Sequence, residues 1–148
     1  MSRRPPAARG AFAHFLSLPT RWMDNDVYGH VNNVVYYSFF DTAVNRFLIE
    51  RGVLRIESSP VIGLVVETGC RYHRPLAFPD VVEVGVRVAH LGTSSVRYEL
   101  GVFRQGHDTA AADGHFVHVY VDREARTPTA LPAALREVLE AIHRAPTG

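Results

Sequence analysis

Residues 32–51 carry the pattern that most limits how this chain can fold. Their apolar side chains repeat every four positions in two adjacent rows, which are Val35, Phe39, Ala43 and Phe47, and Tyr36, Phe40, Val44 and Leu48. This spacing is typical of an α-helix, and two adjacent rows make a wider apolar face than a surface helix needs. The pattern therefore predicts a long helix that is buried on most of its circumference by the rest of the chain.

After Pro60 the apolar period changes to two, which is typical of β-strands. Four strands are predicted, at Val61–Tyr72, Val82–Val88, Val96–Phe103 and His115–Val121, and an earlier one lies within Ala11–Trp22. Short turns between successive strands favour antiparallel pairing. A short helix is predicted after Pro132. The order predicts an α+β fold in which four or five antiparallel strands curl around the long helix.

The length of 148 residues is that of one domain, and 47% hydrophobic residues can form a full core. Residues 1–10 include Pro5-Pro6 and Gly10 and are predicted to be a disordered tail. A single domain is expected over residues 11–144.

Composition also excludes several classes of function. The formal net charge of +1 gives no reason to expect nucleic-acid binding. All 16 basic residues are Arg, so neither a Schiff-base lysine nor a phosphate-loop lysine is available. No apolar run is long enough to span a membrane. Cys70 is the one cysteine, so we expect no intrachain disulfide and a cytoplasmic location.

Motifs for several kinds of catalysis are missing. The chain has no G-x-S-x-G, no G-x-G-x-x-G and no phosphate-binding loop. His115 and His118 are three residues apart on a predicted strand, so their side chains point to opposite faces and make a poor metal pair. We therefore predict no metal site and no cofactor.

The remaining polar residues lie ahead of the long helix. Asp24 and Asp26 precede a helix N-terminus, whose free N–H groups carry partial positive charge. A carboxylate there can act as a general base or nucleophile, and the N–H groups can stabilise an oxyanion, so this stretch could transfer an acyl group to water. The other interpretation is that either Asp only caps the turn.

This stretch also resembles a known family. The hotdog-fold acyl-CoA thioesterases of the 4-hydroxybenzoyl-CoA thioesterase type have a signature that resembles Arg21-Trp22-x-Asp24-x-Asp26-x-x-Gly29-His30-Val31-Asn32-Asn33-x-x-Tyr36. The resemblance continues through Arg74-Pro75-Leu76, Gly92-x-Ser94-Ser95 and Pro128-x-x-Leu131-Pro132. It implies a five-stranded antiparallel sheet wrapped around a long central helix.

The resemblance also implies roles for individual residues. Asp26 matches the catalytic carboxylate, as nucleophile or general base, and the backbone N–H of Asn33 matches the group that polarises the thioester carbonyl. Asp24 matches a position that holds the loop together with Arg21. Substrate-binding positions are matched by the remaining residues, which are His30, Tyr36, Thr93, Ser94 and Ser95.

The implied substrate is an acyl thioester of coenzyme A, or of acyl-carrier protein, and the implied assembly is a homodimer or homotetramer with the site at a subunit interface. Two alternatives stay open. One is a non-catalytic hotdog module that binds an acyl or aromatic ligand, since fold does not fix function. The other is a hotdog hydroxyacyl dehydratase or hydratase, although Gly29-His30 lacks the proline that typically precedes that motif.

Overall fold

The structure is a computed structural model that describes residues 4–144. One antiparallel sheet contains all five strands, which are β1 (His14–Pro19), β2 (Val61–Tyr72), β3 (Val81–Leu91), β4 (Ser95–Arg104) and β5 (Ala112–Asp122). The strand order is β1-β3-β4-β5-β2, so β1 and β2 form the two edges. The two α-helices are α1 (Val35–Glu50) and α2 (Ala133–Ala141). This confirms the predicted α+β fold, a five-stranded sheet around a long helix.

Helix α1 packs on the sheet with the two apolar rows that the sequence predicts. Its buried residues are Tyr36, Phe39, Phe40, Ala43, Val44, Phe47 and Leu48. They meet the alternating apolar side chains of the central strands, Val82, Val84, Val86 and Val88 on β3 and Val96, Tyr98, Leu100 and Val102 on β4. The prediction of burial on most of the circumference is wrong for a single chain. The sheet covers one side of α1, and Asp41, Thr42 and Arg46 on the other side are exposed.

The start of α1 also differs slightly from the prediction of a helix from Asn32. The first helical residue is Val35, and Val34 is its N-cap. Asn32 does not cap the helix itself, because its Oδ1 accepts from the N–H of Val34 at 3.2 Å and forms a turn just before it. The helix ends at Glu50, and Arg51 is its C-cap. The next residue, Gly52, has a φ of 75°, a conformation that glycine adopts readily just after a helix.

The N-terminal segment differs most from its prediction. Residues 4–10 lie on the sheet instead of forming a disordered tail, and residues 1–3 lie outside the described residues. Ala8 forms a bridge with Thr109, and the N–H of Ala7 donates to Asp113 Oδ2 at 3.0 Å. These contacts place the segment on the face of the sheet opposite to α1.

Two paired glycines explain why this segment can lie so close to the sheet. Gly85 on β3 is directly opposite Gly101 on β4. A Cβ would come within 2.7 Å of the Phe12 ring at Gly85 and within 2.6 Å at Gly101. Phe12 therefore occupies a notch that exists only because both residues lack side chains.

Neither helix of the described chain, residues 4–144, combines the length and apolar character needed to cross a membrane.

Candidate active site

The loop ahead of α1 is held by Asp24. This carboxylate is almost fully buried. Its Oδ2 accepts from the backbone N–H of Arg21 at 2.7 Å, and its Oδ1 accepts from the Arg21 guanidinium at 2.9 and 3.1 Å. The backbone oxygen of Asp24 also accepts from the N–H of Asn32 at 2.9 Å. Every one of these bonds is internal to the loop, which confirms that Asp24 holds the loop together with Arg21.

Asp26 lies at the start of a tight turn in the same loop. Its backbone N–H donates to the oxygen of His30 at 2.9 Å, and its Oδ1 accepts from the N–H of Tyr28 at 2.9 Å. Gly29 has a φ of 82°, a conformation that other residues rarely adopt, so the turn needs glycine there. Within residues 4–144 no hydrogen-bond donor reaches Asp26 Oδ2. One carboxylate oxygen is therefore fixed by the turn, and the other is available to water or substrate.

A cavity of about 300 Å³ opens at the N-terminal end of α1. Its lining residues are His30, Val31, Asn33, Tyr36, Tyr72, His73, Arg74 and Pro75. Three residues predicted for the site, His30, Asn33 and Tyr36, therefore share one cavity. Asp26 does not line the cavity in a single chain, but it belongs to the turn that ends at His30.

Asn33 is one of the residues that line the cavity, and its backbone supplies polar groups. Its carbonyl oxygen accepts from the Tyr72 hydroxyl at 2.9 Å. Its N–H has no hydrogen-bond acceptor among residues 4–144. It lies just before the first turn of α1, where the helix dipole is positive. An unpaired donor at this position suits an oxygen that gains negative charge.

Two tyrosines form the aromatic wall of the cavity. The rings of Tyr36 and Tyr72 are 5.0 Å apart and nearly perpendicular. Burial raises the pKa of Tyr36 to about 12 and also raises the pKa of Tyr72, so both phenols stay protonated at neutral pH. Burial raises the pKa of the nearby Cys70 thiol to about 11, so its thiolate is scarce. The two phenols therefore line the cavity as neutral groups, and that of Tyr72 donates to the Asn33 carbonyl. The nearby carboxylate with an available oxygen is that of Asp26.

Residues 72–74 at the end of β2 belong to the cavity but were not predicted as site residues. His73 Nε2 is 3.0 Å from Asp113 Oδ2, and an Arg74 Nη donates to the backbone oxygen of Thr109 at 2.6 Å. Arg74 is part of the Arg74-Pro75-Leu76 motif, which could have indicated it. No sequence motif points to Tyr72 or His73. The pairing of β2 with β5 brings them to the cavity, and that pairing joins residues distant in the chain.

The turn at Thr93, Ser94 and Ser95 does not reach this cavity in a single chain. Ser95 pairs with Val119 on β5, whereas Tyr72 pairs with Ala112 on the same strand. Seven residues of β-strand separate the two partners by about 23 Å. The turn instead packs against the C-terminal region, where Arg136 donates to the oxygen of Gly92 at 2.6 Å. The predicted role of these residues thus requires another subunit or an extended substrate.

The two histidines of β5 have different surroundings. His115 Nε2 is 2.9 Å from Glu67 Oε2 on the outer face of the sheet. His118 is buried among the rings of Tyr98, Phe116 and Tyr120. Neither nitrogen of His118 has a partner among the described residues, and burial lowers its pKa to about 4. His118 is therefore neutral at physiological pH and packs as an aromatic residue.

Known proteins share both the sequence and the fold of this chain. The thioesterase-like superfamily matches residues 20–139. The structure of the PA5185 protein from Pseudomonas aeruginosa strain PAO1 is 55% identical, with a TM-score of 0.92, over 94% of this chain and 97% of that chain. The PA2801 protein of Pseudomonas aeruginosa, provisionally named a thioesterase, is 28% identical, with a TM-score of 0.79, over 85% of this chain and 97% of that chain.

A relative with a defined substrate is the BH1999 gentisyl-coenzyme A thioesterase. It is 25% identical, with a TM-score of 0.75, over 85% of this chain and 99% of that chain. Among curated proteins no match to this sequence is found. The superfamily match extends over most of the chain, including the Asp26 turn, α1 and the whole of β2 to β5. The chain therefore belongs to the thioesterase-like superfamily of hotdog-fold proteins.

Proposed function

We propose that this protein hydrolyses an acyl thioester of coenzyme A, with Asp26 and the backbone N–H of Asn33 as its reactive groups. The observation that carries the proposal is that Asn33, whose N–H has no acceptor among residues 4–144, lines the same cavity as His30 and Tyr36. The available Oδ2 of Asp26 and the family membership support it. The single cysteine suits a reducing, cytoplasmic compartment, which we propose as the location.

The reaction needs two groups at the thioester carbonyl. Asp26 either removes a proton from a water that attacks the carbonyl carbon or attacks that carbon itself and forms an anhydride that water then hydrolyses. The carbonyl oxygen gains negative charge and accepts from the N–H of Asn33. In both routes the C–S bond breaks as this oxyanion collapses, which in the second route is the step that forms the anhydride, and coenzyme A leaves as a thiolate that takes up a proton. The products are one free acid and one free thiol.

The cavity favours a small acyl group. Its volume of about 300 Å³ lies at the lower end of the range for ligand pockets. The rings of Tyr36 and Tyr72 meet at a right angle, so the wall offers aromatic surface. Gentisyl-coenzyme A, the substrate in the name of the BH1999 relative, is an aromatic thioester. We therefore propose an aromatic acyl group as the substrate class.

This preference predicts a difference between thioesters that share coenzyme A. Benzoyl-coenzyme A should be hydrolysed with a kcat/KM at least about tenfold higher than palmitoyl-coenzyme A, because a chain too long for the pocket loses transition-state contacts. Thiol release with a colorimetric reagent measures both rates. Benzoyl-acyl-carrier protein, assayed in parallel, tests the carrier. A higher kcat/KM for palmitoyl-coenzyme A would contradict the aromatic preference.

We also propose that a second copy of the chain completes the site. The loop beside Asp26 exposes large apolar side chains, with Val27 95% and Tyr28 85% exposed. Edge strand β2 exposes an apolar run at Leu64, Val65 and Val66. An exposed apolar edge is able to pair with another strand, and large apolar patches mark interfaces. Pairing through β2 would extend the sheet from one chain into the next and bring further residues to the incomplete cavity.

A charge on this edge should prevent the assembly. Val66 is 60% exposed, so Val66→Lys should leave the fold intact but place a charge in the interface. We expect light scattering coupled to size-exclusion chromatography to show a dimer or tetramer for the wild type and a shift to monomer for Val66→Lys. Ile56→Lys is the matched control, because Ile56 is 71% exposed in a loop outside β2. An oligomer that persists in Val66→Lys would contradict assembly through this edge.

A further inference from the structure

Tyr72 joins the sheet to the segment just before α1. It is the last residue of edge strand β2, and its hydroxyl donates to the backbone oxygen of Asn33 at 2.9 Å, across 39 positions of the chain. Among residues 4–144, this is the hydrogen bond that Asn33 makes. Both residues line the cavity at the N-terminal end of α1, which we call the thioester cavity. The hydroxyl therefore holds the residue whose N–H is available to a substrate.

The ring of Tyr72 is held in place separately from its hydroxyl. It meets the ring of Tyr36 at a centroid distance of 5.0 Å and an interplanar angle of 87°. Tyr36 lies on the first turn of α1 and is only 2% exposed, so it is a fixed surface for this contact. Burial raises the pKa of Tyr72, so its hydroxyl keeps its proton at neutral pH. The geometry thus places a neutral donor beside the Asn33 carbonyl.

The other hydrogen bonds around Asn33 are local. Asn32 Oδ1 accepts from the N–H of Val34 at 3.2 Å, and the backbone oxygen of Asn32 accepts from the N–H of Val35 at 2.9 Å. Both bonds start from one residue, so they shape the turn around Asn33. The bond from Tyr72 comes from β2, and it is the one that joins Asn33 itself to the sheet.

An oxyanion donor depends on its position. A fixed N–H stabilises the charge on the carbonyl oxygen without having to reorient during the reaction, and a misplacement of about 1 Å can lower a rate about 10²-fold. The carbonyl and the N–H of Asn33 lie on two peptide planes that meet at its Cα, so a bond that holds one plane limits the movement of the other.

We propose that Tyr72 is a positioning residue for thioester hydrolysis, whose hydroxyl holds the backbone of Asn33 so that its N–H faces the thioester carbonyl oxygen. This role rests on the proposed function. It requires no contact between the Tyr72 hydroxyl and the substrate, because the hydroxyl acts through Asn33.

Tyr72→Phe tests the hydroxyl alone, because phenylalanine keeps the ring that meets Tyr36 and should leave the fold intact. We expect kcat for benzoyl-coenzyme A to fall about three- to tenfold, the effect of one neutral hydrogen bond, while KM changes less than about twofold. In the Asn33→Pro background, which lacks the N–H, the same substitution should lower kcat no further.

Tyr98→Phe is the matched control. It removes a hydroxyl that lies 2.7 Å from the Tyr120 hydroxyl in the core, outside the residues that line the thioester cavity. It should lower the thermal unfolding temperature without lowering kcat. Thermal unfolding of Tyr72→Phe, measured in parallel, checks that this variant is folded.

A spectroscopic readout does not depend on turnover. In a benzoyl-coenzyme A analogue with a methylene group in place of the sulfur, the carbonyl is a ketone that cannot be hydrolysed. Infrared difference spectroscopy of the isotope-labelled ketone measures how strongly the protein polarises it. Binding to the wild type should shift the C=O band to lower frequency, because the oxygen accepts from the N–H of Asn33. The shift should be smaller in Tyr72→Phe and unchanged in Tyr98→Phe.

Several results would overturn the role of Tyr72. These are a wild-type kcat and band shift in Tyr72→Phe, a change in KM alone, a loss of kcat that adds in full to that of Asn33→Pro, or an equal loss in Tyr98→Phe. All of them leave hydrolysis by the wild type intact. Absence of thiol release from the wild type contradicts the proposed function instead, and the infrared shifts then still decide whether Tyr72 positions the N–H of Asn33.

Discussion

Replacement of Asp26 by Asn is expected to lower kcat for thioester hydrolysis at least about 10²-fold, since general base catalysis typically contributes that much. An amide can neither take a proton from water nor act as the nucleophile. It still has an oxygen that can accept from the N–H of Tyr28, the bond that Asp26 Oδ1 makes in the turn. Thiol release under saturating substrate measures this loss of kcat. Because the turn bond is kept, the substitution should change the fold little.

The matched control for this substitution is Asp108→Asn. Asp108 is exposed in the turn between β4 and β5, outside the residues that line the thioester cavity. The same change of charge there should leave kcat at the wild-type value. Wild-type turnover by Asp26→Asn, or an equal loss in the two variants, would show that Asp26 has no chemical role.

Asn33→Pro is expected to lower kcat by about 10² to 10³, because proline has no backbone N–H and the loss of one oxyanion donor has a cost of that size. The backbone carbonyl of residue 33 remains available to the Tyr72 hydroxyl. KM should change less than kcat, since the bond to the carbonyl oxygen strengthens in the transition state.

Asn33→Ala separates the backbone from the side chain. It keeps the N–H and removes the amide, so its kcat should stay close to the wild-type value. Thermal unfolding of both variants identifies any loss of structure, because proline also restricts the preceding residue, Asn32. Equal losses of kcat in Asn33→Ala and Asn33→Pro would assign the effect to the side chain and contradict a backbone oxyanion donor.

Local patterns in the sequence predict much of the fold. The four-residue repeat of α1 and the alternation of Val82 to Val88 depend on side chains close together in the chain, and both elements form as predicted. The turn with Asp24, Asp26 and Gly29 is also local. Its hydrogen bonds join residues that are close in sequence, so the family signature that contains Arg21 and Asp24 also contains their contact, and the resemblance implied their role.

The features that were not predicted depend on contacts between distant residues. Phe12 packs against Gly85 and Gly101, more than seventy positions further along the chain, and only the β3–β4 register places these glycines side by side. Nothing near Pro5-Pro6 indicates that notch, so the segment was predicted to be disordered. Tyr72 and His73 reach the thioester cavity through the pairing of β2 with β5 for the same reason.

The exposed side of α1 was not predicted for a related reason. The two apolar rows of the helix cover the side that packs on the sheet. The opposite side, with Asp41, Thr42 and Arg46, is polar. The width of an apolar face does not show how many layers cover it. We expect a second copy of the chain, joined through β2, to bury further surface of the loop and of the cavity.

The most direct test of the central claim is a single-turnover reaction of the wild-type protein, in excess, with benzoyl-coenzyme A. Free thiol and benzoic acid are measured over time, and binding of the thioester is measured on the same sample. We predict that thiol and acid reach equal final amounts, and that the rate of thiol release saturates with protein concentration. Acid that lags behind thiol would indicate the anhydride route. Saturable binding with no release of thiol would contradict hydrolysis and identify the cavity as a binding site alone.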